Sequence, residues 1–292
     1  MVITGKTQLL GVIGDPITHS LSPVMHNAAL ADLGVDWVYL PFAVAPEHLE
    51  TAVRGFAAIG LGGFNVTIPH KQAIMPLLAG VSEVAQAVGA VNTVWRTDAG
   101  WWGTNTDVVG FLAPLQALGQ AWSQSHATIL GCGGAARAVV AGCAQLGCQV
   151  IYVVGRDAAK VAAFHASWSQ TSLCDRLFVA TWEQLPQLLP TTQLLVNATP
   201  VGMHPQVDRS PLTTAEMALL PSESIAYDLI YTPNPTLFLK LAQKRDLRAI
   251  DGLEMLIQQG AAALQIWLQR QVPIPVMEAA LRQYLGLAGG RG

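Results

Sequence analysis

The sequence predicts an α/β protein of two domains, each formed round a largely parallel sheet. Short apolar or β-branched runs alternate with stretches of helical pattern along most of the chain, as strand–helix–strand units do. The length, 292 residues, exceeds one average domain, so two domains are the leading reading and one large domain the alternative. A glycine cluster, Gly131-Cys-Gly-Gly, lies directly between a strand-like run and a helix-like run near the middle.

In the first part, strands are expected at Leu9–Ile13, Trp37–Phe42 and Gly62–Val66, and helices over Pro23–Leu33, Pro46–Ile59 and His70–Leu78. Val91–Trp95 and Trp101–Thr104 flank Asp98-Ala-Gly100, which reads as a hairpin. In the middle, Ala127–Leu130 is a short buried strand, and the helix after the glycine cluster runs to Leu146, where Gly147 stops it. Gln149–Val154, Leu194–Asn197 and Ile225–Leu229 are further strands, with helices between them. From Leu253 onward the tail is helical, broken by Pro273 and Pro275 before a final helix. The domain junction is expected near Thr106–Asp107, with a second crossing near Asp251.

Composition narrows the class of function. Half the residues are hydrophobic and 12% are charged, enough apolar content for a sizeable core. The net charge is −3 and there is no basic run, which argues against a nucleic-acid or membrane-surface partner and leaves room for a small anionic substrate. No secretory signal and no membrane-length apolar run is visible, so a cytoplasmic location is expected. Cys132, Cys143, Cys148 and Cys174 have no metal-type spacing and read as reduced thiols; no metal site is expected. His19, His26 and His70 lack metal-type partners.

Gly131-Cys-Gly-Gly-Ala-Ala136 fits G-x-G-x-x-A in the right context, after a strand and at the opening of a helix. Gly131 permits the tight turn, Gly133 lets a pyrophosphate approach the backbone, and Ala136 allows close helix–sheet packing, so a Rossmann-like dinucleotide-binding domain is expected. The free N–H groups at the helix start suit the pyrophosphate. After the second strand comes Gly155-Arg156-Asp157, then Lys160. Arg156 and Lys160 favour a 2′-phosphate and hence NADP, whereas Asp157 pulls toward the ribose hydroxyl of NAD. The alternative is that Arg156 and Asp157 only form a solvated helix start.

Four segments of the first part carry polar groups in apolar surroundings: His19-Ser-Leu-Ser22-Pro, Phe64-Asn-Val-Thr-Ile-Pro-His-Lys71, Ala90-Val-Asn92-Thr and Gly103-Thr-Asn-Thr-Asp107. Asn65, Thr67 and Asn92 stand where strands give way to the ligand crevice of an α/β fold, a neutral hydrogen-bonding set suited to a hydroxylated ring acid. Each has a plainer explanation. Ser20 and Ser22 could cap the helix at Pro23, Asn65 and Asn92 could satisfy loop backbone, Lys71 could be solvated, and Asp107 could cap the next helix.

Taken together these motifs resemble the shikimate dehydrogenase family. The resemblance rests on Gly-Asp-Pro-Ile-x-His-Ser-Leu-Ser-Pro, Asn-Val-Thr-Ile-Pro-His-Lys, Gly-Ala-Val-Asn-Thr, Gly-x-Asn-Thr-Asp-x-x-Gly, Gly-Cys-Gly-Gly-Ala-Ala-Arg, Asn-Ala-Thr-Pro-Val-Gly-Met, Tyr-Asp-Leu-Ile-Tyr-x-Pro and Asp-Gly-x-x-Met-Leu-x-x-Gln, in that order over nearly the whole chain. It implies an N-terminal substrate domain that the C-terminal helices rejoin, residues 1–106 with 252–292, and a Rossmann-like NADP domain over 107–251. It implies substrate contacts from Ser20, Ser22, Asn65, Thr67, Lys71, Asn92, Asp107, Tyr231 and Gln259, with the two serines on the substrate carboxylate. It implies cofactor contacts from Gly131, Cys132, Gly133, Gly134, Ala135, Gly155, Arg156, Asp157, Lys160, Thr199, Val201, Leu229 and Gly252, with Glu83 a weaker match. Two departures from the family pattern, Asp157 where serine or threonine is usual and Lys160 where arginine is common, keep NAD open beside NADP.

The activity implied is reversible reduction of 3-dehydroshikimate to shikimate in chorismate and aromatic amino acid biosynthesis. Lys71 would donate the proton to the developing alkoxide and Asp107 would orient it. The implied partner is the small-molecule substrate, on a monomer or homodimer. Quinate or dual quinate/shikimate dehydrogenases are the nearest rival; family members that use quinate often replace the second serine, and Ser22 is intact. A non-catalytic dinucleotide-binding redox sensor is the rival from another class, and retention of Lys71 and Asp107 opposes it.

Overall fold

A computed structural model describes residues 2–287 apart from 170, 172 and 174, so the thiol of Cys174 lies outside the described residues. The chain forms two compact units, 1–110 with 256–292 and 111–255. It leaves the first unit within one helix and re-enters it within another, so the C-terminal helices belong to the first unit.

The first part of the chain runs β1 (Gln8–Gly14), α1 (Ser22–Asp32), β2 (Trp37–Ala43), α2 (Leu49–Ala58), β3 (Gly63–Val66), α3 (His70–Ala73), β4 (Gly80–Val81), α4 (Glu83–Val88), β5 (Thr93–Thr97), β6 (Gly100–Thr104) and α5 (Asp107–Gln116). Its sheet has the order β2-β1-β3-β5-β6-β4. β1 is parallel to β2 and β3, whereas β5 is antiparallel to β3 and to β6 across the expected hairpin. Phe64, Val66, Val94 and Trp101 from the sheet pack with Val53 and Phe56 of α2. The helix expected over His70–Leu78 ends at Ala73 and resumes as a 3-10 turn over Met75–Leu77. Pro76 explains the break: it has no N–H to bond back to Gln72, and its ring crowds that carbonyl.

The second unit continues through β7 (His126–Leu130), α6 (Gly134–Leu146), β8 (Val150–Gly155), α7 (Ala158–Ala166), β9 (Leu177–Thr181), α8 (Leu185–Leu188), β10 (Leu194–Asn197), α9 (Thr214–Met217), β11 (Ile225–Asp228), α10 (Leu237–Gln243) and β12 (Arg248–Ile250). All six strands are parallel, in the order β12-β11-β10-β7-β8-β9. Its inner strands are near-continuous apolar runs, because a parallel sheet is covered on both faces. β9 and β12 extend the sheet beyond the strands expected from sequence; β12 has only three residues, too few to show a period.

The tail forms α11 (Gly252–Leu268) and α12 (Ile274–Tyr284). Pro275 starts α12 rather than breaking a helix, since a proline in the first turn costs no hydrogen bond. α12 packs along α1 in the first unit. Among the described residues no helix is long and apolar enough to cross a membrane.

Candidate active site

In the first unit the ends of β1, β3 and β6 and the start of β5 meet at one edge of the sheet. The register sets this: Ile13 pairs with Val66, Asn65 with Thr93, and Thr93 with Thr104. The Val91 N–H donates to the Lys71 carbonyl at 2.7 Å, which ties α3 to the segment carrying Asn92.

The polar side chains at this edge are bonded to one another. Lys71 Nζ lies 2.5 Å from Asp107 Oδ2, with the two side chains 15% and 8% exposed. Asn92 Nδ2 donates to Asp107 Oδ1 at 2.8 Å and to Gln259 Oε1 of α11 at 3.3 Å. Asn92 Oδ1 accepts from the Thr106 N–H at 2.7 Å and from the hydroxyls of Thr93 and Thr106. Asn65 Nδ2 donates to the Asn92 carbonyl and to Thr93 Oγ1, each at 3.0 Å, and its Oδ1 accepts from the Tyr39 phenol at 2.7 Å. One ion pair thus sits in a frame of neutral amides and hydroxyls, nearly all buried. Such closure fixes side-chain orientation before any ligand arrives.

Several plain explanations fall away. Neither serine caps α1: the N-cap position is Leu21, no side chain bonds there, and among the described residues Ser20 Oγ accepts only a 3.4 Å contact from the Ser22 N–H. Lys71 is paired rather than solvated. Both Asp107 carboxylate oxygens face Lys71 and Asn92, although the residue also opens α5. The two asparagines do bond backbone, as the plain explanation held, yet Asn65 also bonds Thr93 and Tyr39, and Asn92 also bonds Asp107 and Gln259. Thr67 is half-buried, its methyl against Gly14.

The second unit presents a different surface. Gly131 has φ +103°, and a Cβ there would stand 3.0 Å from the Ala198 carbonyl oxygen and 3.1 Å from Thr199 Cγ2, so only glycine makes this turn without strain. A Cβ on Gly133 would meet nothing within 4 Å, which leaves open space over the loop. No side chain caps α6, whose first N–H groups are thereby available to an anion. Asp157 caps α7, its Oδ1 accepting from the N–H groups of Ala159 at 3.0 Å and Lys160 at 3.1 Å. Arg156 and Lys160 are exposed and, among the described residues, make no side-chain hydrogen bond or ion pair.

The loops facing the glycine turn are held by one buried carboxylate. Asp228 accepts from Asn197 Nδ2, from the Ile230 N–H and from the Thr236 hydroxyl. Asn197 Oδ1 in turn accepts from the N–H and hydroxyl of Thr199, and its Nδ2 also donates to the Val201 carbonyl. Burial pushes the Asp228 carboxyl up to about 6. Gly252 lies so close to Leu229 that a Cβ would stand 2.2 Å from that carbonyl oxygen.

Comparison with known proteins decides the family. Residues 12–94 match the shikimate dehydrogenase substrate binding domain, and residues 252–282 match the shikimate 5'-dehydrogenase C-terminal domain. The shikimate dehydrogenase (NADP(+)) of Gloeothece citriformis is 60% identical over 98% of this chain and 99% of its own. The chain belongs to the shikimate dehydrogenase family. Among solved structures, a shikimate dehydrogenase in complex with NADP+ is 36% identical with a TM-score of 0.87, covering 97% of this chain and 98% of its own. The shikimate 5-dehydrogenase of Thermus thermophilus in complex with NADP(H) and shikimate is 35% identical with a TM-score of 0.82, covering 95% of this chain and 99% of its own.

Within the first unit of this family member, hydrogen bonds join Asn65, Lys71, Asn92, Asp107 and Gln259 into one network, whereas Ser20 and Ser22 contact each other and Thr67 lies against Gly14. Glu83 is exposed in the first turn of α4, where a carboxylate suits the helix dipole. Tyr231 belongs to the second unit, in the turn after β11 that Asp228 holds. Sequence reading passed over Tyr39, Thr93, Thr106, Asn197 and Asp228, which orient the expected residues. Four of them lie inside the quoted motifs, so a signal existed; Tyr39 lies outside every motif.

Proposed function

We propose that this protein catalyses the NADP-dependent, reversible reduction of 3-dehydroshikimate to shikimate. The observation that carries the proposal is the Lys71–Asp107 pair enclosed by Asn65, Asn92 and Gln259. A cation with one rotatable donor shell, held beside neutral hydrogen-bonding groups, suits a ketone that gains charge on its oxygen while its ring hydroxyls stay neutral.

Residues 1–106 with 252–292 act as the substrate-binding domain and 107–251 as the NADP-binding domain. Ser20 and Ser22 bind the substrate carboxylate through their hydroxyls. Asn65, Thr67, Asn92, Asp107, Tyr231 and Gln259 bind the ring oxygens. Lys71 hydrogen-bonds the reacting oxygen, stabilises the growing charge and delivers a proton to it; in the reverse direction it takes the proton back. Asp107 holds the ammonium in line. NADP(H), when bound, supplies or accepts the hydride. Gly131 through Ala135 receive its pyrophosphate, and Thr199, Val201, Leu229 and Gly252 line its path. Arg156 and Lys160 take the 2′-phosphate. With Asp157 spent on the α7 cap, the acidic residue that favoured NAD has a structural task, which supports NADP preference.

The test is to follow NADPH and NADH oxidation with 3-dehydroshikimate, and the reverse reaction with shikimate and quinate. Turnover restricted to shikimate and favouring NADP by at least about tenfold is expected. Faster turnover with quinate and NAD would move the protein to the dual-specificity branch, and no turnover with any pair would end the proposal.

A further inference from the structure

Tyr39 serves no step above, yet the fold holds its phenol in one attitude from several sides. The ring is fully buried. It stacks on the His26 imidazole of α1 at 4.2 Å and 13°, and Trp267 of α11 closes its edge at 6.0 Å. Its backbone is clamped by the Asn27 side chain, which donates to the Tyr39 carbonyl and accepts from the Tyr39 N–H, both at 2.9 Å. Burial pushes His26 down to about 3, so the stacking partner is neutral and gives shape rather than charge. Burial pushes the phenol well above its ordinary value, so its O–H is permanent at any working pH.

That fixed oxygen meets one residue of the expected substrate set. The phenol donates to Asn65 Oδ1 at 2.7 Å. Both protons of the Asn65 amide are already spent on the Asn92 carbonyl and Thr93 Oγ1. Asn65 therefore has only its oxygen to offer a ligand, and that oxygen recognises a donor, such as a ring hydroxyl, but not a ketone or a carboxylate.

We propose that Tyr39 is a positioning residue of the substrate site, its phenol locking the Asn65 amide as an acceptor for a substrate hydroxyl. This rests on the reaction proposed above. The amide oxygen has two lone pairs: the phenol holds one and the other is left for the substrate hydroxyl.

Tyr39→Phe keeps the ring stack and deletes the O–H. For one buried hydrogen bond, KM for shikimate should rise roughly tenfold. kcat and the KM for NADP should stay within about twofold. The preference for shikimate over its 4-deoxy or 5-deoxy analogue should narrow for the hydroxyl that Asn65 reads. Unchanged KM and unchanged discrimination would overturn the proposal, as would equal losses in kcat and melting temperature with discrimination intact, the mark of packing alone. Asn65→Ala, which leaves Tyr39 in place, gives a second route should Tyr39→Phe not fold. It should weaken shikimate binding and narrow the same discrimination, and weaker binding with full discrimination would also overturn the proposal. Failure of the wild-type protein to use shikimate would sink the reaction itself, an outcome distinct from either variant's.

Discussion

The two units prepare their ligand surfaces in opposite ways. In the first, the side chains themselves are the surface: Asp107, Asn92 and Asn65 are buried, Lys71 is half-buried, and they are bonded into one network. In the second, the surface is backbone with few side chains, an open Gly133, an uncapped α6, and two cations, Arg156 after β8 and Lys160 in α7, that are unpaired among the described residues. The difference teaches where each is vulnerable. A preorganised side-chain network fails when polarity changes, because a missing partner strands a buried group. A backbone cradle fails when volume is added or the flanking charge is removed.

The largest effect should come from cutting the network at its charged centre. Lys71→Ala should lower kcat by roughly 10²–10⁴-fold, with shikimate affinity within a few-fold by calorimetry. An intact rate would remove Lys71 from the chemistry.

The buried titrating groups sharpen the contrast, since they have opposite signs. His26 of the first unit is held down to about 3 by burial. The unfolded chain takes this proton below about 6.5, so its share of stability is full above that pH and is lost as pH falls toward 3, up to roughly 5 kcal/mol. Asp228 of the second unit is held up to about 6. There the folded state keeps the proton longer, so stability declines as pH rises from about 4 to about 6, by roughly 3 kcal/mol. Melting temperatures of His26→Phe and Asp228→Asn across pH 3–8 should diverge from the wild type in opposite directions; parallel curves would contradict both assignments.

Smaller effects are expected at the cofactor side. Replacing Arg156 and Lys160 by alanine, singly, should raise the KM for NADPH by about tenfold each while leaving NADH nearly unchanged, because an exposed cation is partly screened. Equal losses with both cofactors would place these residues outside the 2′-phosphate site.

Much of this was legible in the sequence because it was local. The strand-to-helix context of Gly131–Ala136 and the polar strand ends at Asn65 and Asn92 are short-range patterns, and the structure has them where those patterns put them. What escaped was set by contacts far apart in sequence. Tyr39 reads as one aromatic of a β-strand until β1, α1 and β3 bring Asn27, His26 and Asn65 round it. Asp157 reads as an acid beside an arginine, and only the backbone of α7 shows that its oxygen is committed to the cap. The third helix was overextended because its apolar pattern continued past Pro76, and the missing N–H of proline outweighs periodicity.

The most direct test of a preorganised side-chain network in the first unit is calorimetric titration of shikimate into protein free of cofactor. Binding in the micromolar to millimolar range, weakened at least about tenfold by Asn92→Ala, is the expected result. No binding until NADP is added, or binding that Asn92→Ala leaves unchanged, would contradict it.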